Sequence, residues 1–226
     1  GGFDPVAEAW QLAALTAELG LSSSTTVEAM QGFRGGLNDG VWFLTDPAQG
    51  LELVLKLVRG HRIHPSIPTE AENLARIQQE HPQVTSDSSI AFPLKIVNLF
   101  GPGGMRAQDV IVMRKAPGAR LAELVAKRWY GGLQEQVYAM FERVGACLAR
   151  FHASYGGKQH GDFQPSNVVY EEDYDEVTLI DVGGMGVPTS DTDAEHFAKS
   201  LQLLSKAYGP EFASEGMQHF EAGYSS

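Results

Sequence analysis

The stretch His160-Gly161-Asp162-Phe163-Gln164-Pro165-Ser166-Asn167, followed by Val168-Val169-Tyr170, constrains this chain more than any other. It stands between a long helical pattern and a short apolar run, so it reads as a loop leading into a strand. Eleven residues past Tyr170 a second acid, Asp181, ends another short apolar run, Val177-Thr178-Leu179-Ile180. Two short strands therefore direct polar groups toward one point, with Asn167 just before the first and Asp181 just after the second. An Asp, an Asn and a second Asp at this separation meet the needs of metal-assisted phosphoryl transfer. One carboxylate accepts or orients a hydroxyl proton, while an amide oxygen and a second carboxylate hold magnesium on the phosphates.

The totals permit such a protein. At 226 residues the chain can bury a sizeable core, as one domain or as two lobes sharing a cleft. Hydrophobic residues make up 43 % and charged residues 20 %, the balance of a globular protein. The net charge of -11 argues against a nucleic-acid partner, which requires a basic face. The acidic run Glu171-Glu172-Asp173-Tyr174-Asp175-Glu176 falls between the two short strands and reads as a solvated turn. No apolar run approaches a membrane span, and no basic-then-apolar leader opens the sequence. A single cysteine, Cys147, excludes an internal disulfide and reads as a small buried hydrophobe within a helix. A cytoplasmic setting is the expectation, with no membrane partner and no prediction of oligomeric state.

Taken in order, Asp4-Pro5 predicts a helix start, and Trp10, Ala13, Ala14, Ala17 and Leu21 give it one apolar stripe. Strands are expected over 25–32, 41–44 and 51–58, the last two joined by the turn Asp46-Pro47-Ala48-Gln49-Gly50. The segment Gly35-Gly36-Leu37-Asn38-Asp39-Gly40 is either a hairpin tip or a loop whose backbone approaches phosphate oxygens; no Gly-Lys-Ser/Thr follows it, so it is not a Walker loop. Lys56 is flanked by Leu53, Val54, Leu55, Leu57 and Val58, so it lies either on an exposed strand face or paired in a cleft. In the helix that begins near Thr69, Glu70, Leu74 and Ile77 share the inward face, while Glu72 completes a capping box with Thr69. A strand over 90–99, broken by Pro93, and another over 109–113 lead to the linker Arg114-Lys115-Ala116-Pro117-Gly118. Helices are predicted over 119–129, 134–154 and 191–207, with a final one over 211–223. His152 and His160 read as structural side chains, His160 bracing the loop backbone. Asp191, Asp193 and Glu195 read as acids favoured at a helix start.

The order H-G-D-x-x-x-x-N, strand, turn, I-D resembles the catalytic core of the aminoglycoside phosphotransferase and choline kinase family, relatives of the protein kinases. Further similarities are Gly35, Gly36 and Asn38 to a G-G-x-x-N loop, with Asn38 one residue nearer the glycines than in that pattern, Thr69-Glu70-Ala71-Glu72-Asn73-Leu74 to the family's first helix, Met113 through Leu121 to its hinge, and Phe220 to Tyr224 to F-x-x-G-Y. The resemblance implies an α+β, bilobal protein-kinase-like fold. Residues 1–113 would form an N-terminal helix plus a nucleotide-binding small lobe of five antiparallel strands and one helix, with a hinge over 114–118 and a helical catalytic lobe over 119–226. It implies ATP and magnesium in the cleft, with Asp162 as catalytic base and Asn167 and Asp181 as metal ligands. Lys56 would contact phosphates, Glu70 would hold Lys56 with Glu72 as runner-up, Gly35, Gly36 and Asn38 would line the phosphate loop, and backbone from Met113 to Ala116 would meet adenine. The local residues fit an ordinary strand-to-helix connection at that hinge equally well.

The sequence departs from these relatives in places. Gly161 stands where most protein kinases carry arginine, no A-P-E segment follows, Val182 replaces the phenylalanine after the second Asp, and the family's G-D-P-x-x-D-L-A is only loosely echoed. The expected activity is transfer of the γ-phosphate of ATP to a hydroxyl of a small molecule: an amine, a sugar or an aminoglycoside-like compound. The alternatives are an atypical protein kinase, a pseudokinase or scaffold, and transfer of a nucleotidyl group on the same fold.

Overall fold

Buried and half-buried residues alternate over 41–46 and 53–56, and this period of two builds an antiparallel sheet with one covered face. A computed structural model of the chain describes residues 3–30, 40–58, 64–100 and 106–226. Its first compact unit comprises Gly1–Glu72 and Phe92–Lys115, and its second Asn73–Ala91 and Ala116–Ser226.

In the first unit, β1 (Thr26–Ala29), β2 (Val41–Asp46), β3 (Leu51–Leu57), β4 (Lys95–Phe100) and β5 (Arg106–Arg114) form a five-stranded antiparallel sheet in the order β1-β2-β3-β5-β4. Trp42, Leu44, Leu53, Leu55, Val97, Leu99, Val110 and Val112 are buried on one face with Phe3 and with Leu15 of α1 (Ala9–Leu19). The regular helix starts later than Asp4-Pro5 suggests. Asp4 instead caps a turn, its Oδ1 accepting from the N–H groups of Val6 and Ala7, while its own N–H goes to Gln11 Oε1 at 2.6 Å. Gly20, in the left-handed conformation at φ 65°, ends the helix.

The expected strand over 90–99 begins only at Lys95. Pro93 has no N–H to give to a ladder, and Ile90 instead forms an isolated parallel bridge to Leu179 in the second unit's own residues.

The second unit holds α3 (Leu121–Tyr130), α4 (Gln134–Ser154), α5 (Asp193–Tyr208) and α6 (Phe212–Ser225), and the unit boundary falls inside α2 (Glu70–Glu80). A three-stranded antiparallel sheet joins β6 (Ala119–Arg120), β7 (Val168–Glu171) and β8 (Glu176–Leu179). Residues 119 and 120 therefore pair with β7 and do not open α3, a two-residue strand too short to show any period in the sequence. Buried aromatic rings form the core: Phe141, Phe163, Phe197, Phe212 and Phe220, with Phe197 stacked on Phe220 at 4.7 Å between centroids. Helices α4 and α6 cross backbone to backbone. A Cβ on Gly145 would lie 2.0 Å from the carbonyl oxygen of Phe220, and one on Gly223 would lie 1.8 Å from that of Glu142. Among the described residues no helix is long and apolar enough to cross a membrane.

This crossing predicts that Gly145→Ala and Gly223→Ala each destabilise the protein by about 3 kcal/mol, since backbone cannot yield as a side-chain tip can. Urea unfolding followed by circular dichroism checks this, and a midpoint equal to wild type in either variant would contradict the packing.

Candidate active site

In the first unit the alternation of β3 sends Leu53 and Leu55 into the core and Lys56 to the opposite face, where its register neighbours are Val41 and Ile111. Lys56 Nζ lies 3.0 Å from Glu70 Oε2, with the two side chains 16 % and 10 % exposed. Largely removed from water, the pair interacts more strongly than a surface ion pair would. Glu70 is the first residue of α2, where the helix dipole favours an acid. Glu72, the runner-up, donates its backbone N–H to Thr69 Oγ1 at 3.2 Å, in keeping with its reading as part of a helix cap. Glu70 Oε1 is buried without a hydrogen-bond partner among the described residues, an acceptor that lacks a donor. Met113 stands opposite Val54 in the β3–β5 ladder, the Lys115 N–H is taken by the carbonyl of Glu52, and Ala116 opens the second segment of the second unit. Gly35, Gly36 and Asn38 lie outside the described residues.

In the second unit the β7–β8 register explains why Asn167 and Asp181 come together. Val168 faces Leu179, so the next pair outward is Asn167 and Ile180, and the Ile180 N–H donates to the Asn167 carbonyl at 3.0 Å. Asp181 is the following residue and adopts the left-handed conformation, φ 58° and ψ 54°. A non-glycine residue there costs about 1 kcal/mol, so its surroundings must hold it.

Asp162 is seated between a buried ring and solvent. Phe163 beside it is fully buried against Phe197 and Phe220, which leaves the Asp162 side chain 48 % exposed. The Asn167 amide Nδ2 donates to the Asp162 carbonyl at 2.8 Å and to its Oδ2 at 2.9 Å. Gln164 Nε2 donates to Oδ1 at 3.0 Å, and His196 Nε2 on α5 lies 3.5 Å from the same oxygen. Asn167 thus orients Asp162 with its nitrogen, and its Oδ1 is the atom suited to a cation. Asn167 Oδ1 and the Asp181 carboxylate are hard oxygen donors, the type that magnesium prefers. The residues fit the ion.

The loop backbone has its own supports. His160 is fully buried; its Nδ1 accepts from the Asp162 N–H at 3.2 Å and its Nε2 donates to the Ile180 carbonyl at 2.8 Å, which assigns the neutral Nε2-protonated form. Asp193, read from the sequence as a helix-start acid, is 1 % exposed, and its carboxylate accepts from the N–H groups of His160 at 2.7 Å and Gly161 at 3.1 Å. The cap of α5 is Thr192, in a capping box with Glu195. His152 bridges Asp193 Oδ2 at 2.8 Å and Tyr224 Oη at 2.7 Å, which accounts for the tyrosine of the F-x-x-G-Y segment. Burial pushes the Asp193 carboxyl up, but the hydrogen bonds from His152, His160 and Gly161 outweigh it and hold the group below its ordinary value.

Sequence reasoning missed Gln164, His196 and the bracing role of Asp193. Only Asp193 left a signal, as the one acid in the cluster Asp191, Asp193 and Glu195 that directly follows the capping residue Thr192.

No protein-family model matches the chain, and no curated protein does. Among solved structures, the kinase PK-1 of the Cydia pomonella granulovirus superposes with a TM-score of 0.50 at 13 % identity, over 97 % of this chain and 74 % of that one. The match shows a protein-kinase-like fold. The resemblance to aminoglycoside phosphotransferases rests on the motif residues alone.

Asp193→Asn keeps the shape but turns one acceptor into a donor aimed at backbone N–H groups, so a loss of about 2 kcal/mol is expected near neutral pH. Because the folded-state value lies below 3.8, unfolding takes up a proton in acid, and this contribution fades as pH falls below 3.8 through the folded value. Urea titrations of both proteins along a pH series should show the gap narrowing in acid; a constant gap would contradict the assignment.

Proposed function

We propose that the chain is an ATP- and magnesium-dependent phosphotransferase acting on a hydroxyl group of a small molecule. The observation that carries this reading is the seat of Asp162: a half-exposed carboxylate oriented by Asn167, with Asp181 placed beside Asn167 by the strand register. Such a carboxylate, open on one side and fixed on the other, is what an incoming hydroxyl needs.

In this reading the acceptor hydroxyl donates its hydrogen bond to Asp162, and the carboxylate takes the proton as the oxygen bonds to the γ-phosphorus. The bond between the γ-phosphorus and the bridging oxygen breaks, and ADP leaves with the electron pair. Asn167 Oδ1 and the Asp181 carboxylate would hold magnesium, which when bound offsets the charge of the phosphates. In the first unit Lys56, kept in place by Glu70, is the cation that the resemblance assigns to the α- and β-phosphates, and the backbone from Met113 to Ala116 is what it assigns to adenine. Because the transition state is loose, positioning and charge supply most of the acceleration.

A small-molecule acceptor is favoured over a protein by the segment after Asp181. It runs only from Val182 to Thr192 before α5 begins, and it is fastened at Gly183, Met185 and Gly186 by Asn73 and Gln159. Gly161 supplies no cation to read a phosphorylated segment.

Asp162→Ala should lower phosphotransfer by at least about a hundredfold, with ATP binding by calorimetry close to wild type. Phosphotransfer retained in that variant would exclude Asp162 as the base. ADP release measured against a panel of hydroxyl metabolites, beside a protein lysate with labelled ATP, decides the acceptor class; label appearing in protein alone would overturn the small-molecule reading.

A further inference from the structure

Asn73 of α2 is 1 % exposed, although an amide in a helix interior ordinarily turns to water. Both ends of its side chain are engaged. Nδ2 donates to the carbonyl of Gly183 at 2.8 Å and to that of Met185 at 3.0 Å, and Oδ1 accepts from Arg76 at 2.5 Å. The two carbonyls lie two and four residues past Asp181, one within the turn Val182–Gly184 that Asp181 opens and one on Met185, which closes it. Met185 is itself fully buried, its N–H returns to the Val182 carbonyl, and the Gly186 N–H goes to the carbonyl of Gln159. On the other side of Asp181, Ile180 is tied to Asn167 and His160. The left-handed Asp181 thus sits between two fastened ends, and only the later one depends on a side chain from α2.

We infer that Asn73 is a positioning residue for the metal ligand Asp181: its carboxamide fixes the turn that keeps Asp181 left-handed and so sets the direction of the carboxylate. The inference rests on the phosphotransferase reading, since it concerns how that site takes its ion. Groups that orient a ligand without touching the ion commonly change metal affinity by about tenfold to a hundredfold when removed. With the amide absent, the half-buried carbonyl of Gly183 and the buried one of Met185 lose this donor, and Asp181 is released toward the ordinary backbone regions.

The test is ATP binding by calorimetry, once with magnesium and once with EDTA, in wild type, Asn73→Asp, Asn73→Ser and Asp181→Ala. Asn73→Asp matches the native shape and removes both donors; Asn73→Ser is the milder change should the first fail to fold, with thermal melting as the check. The expected result is a loss of about tenfold or more in magnesium with the EDTA value unchanged. Asn73→Ser added to Asp181→Ala should cause no further loss. Amide hydrogen exchange at Met185 and Gly186, measured without any ligand, should quicken in the Asn73 variants. Equal losses in magnesium and in EDTA, or additive losses in the double variant, would overturn the inference and leave the phosphotransferase reading intact. Wild type that gains nothing from magnesium would remove both.

Discussion

The carboxylate of Asp193 is the point on which the loop bearing Asp162 depends. Two successive N–H groups, those of His160 and Gly161, face inward with no strand or helix to receive them, and Asp193 receives both. Buried charge is tolerated only when its acceptor capacity is filled, and here His152 supplies the remaining donor. The neutral His160 ring then carries the order outward, from the Ile180 carbonyl to the Asp162 N–H. A polar network of this kind specifies one loop conformation because each member loses a partner in any other. Phe163 adds the apolar half of the same constraint, since its burial among Phe197 and Phe220 decides which way Asp162 faces.

The second unit joins two kinds of order around its candidate residues. Strand register brings Asn167 and Ile180 together at the open end of a hairpin, a purely geometric consequence of Val168 standing opposite Leu179. Beyond Ile180 the chain leaves the sheet, and backbone hydrogen bonds to side chains take over. Asp181 lies at that change, in a conformation that neither strand nor helix supplies. The first unit solves a simpler problem: strand period alone turns Lys56 away from the hydrophobic core, and Glu70 at a helix start meets it.

Much of this was legible in the sequence because it depends on period and spacing. The long helix Gln134–Ser154, the hairpin before Asp181 and the placement of Glu70 on the inward face follow from residue patterns alone. What was not legible depends on partners far along the chain. The two residues of β6 exist only because β7 is there to pair with them. The start of β4 at Lys95 follows from Pro93 and from Ile90 joining Leu179 instead. Asn73 carries no local sign of its role beyond its place three residues after Glu70, and its carbonyl partners are 110 and 112 residues away. Buried polar side chains are recognised by what satisfies them, which a local pattern does not contain.

The two units are interleaved along the chain, and this bears on the order in which the protein is made. Residues 73–91 belong with residues 116–226, yet 92–115 return to the first unit between them. During synthesis the segment 73–91 leaves the ribosome well before Tyr155, Leu179 and Met185, the residues that satisfy Asp87, Ser89 and Asn73. Until those arrive Asp87, Ser89 and Asn73 lack these distant partners, so the segment has to wait. The first sheet is likewise complete only once β5 has emerged and inserted between β3 and β4. Cutting the polypeptide between any two neighbouring elements from 73 to 115 would therefore divide both units at once.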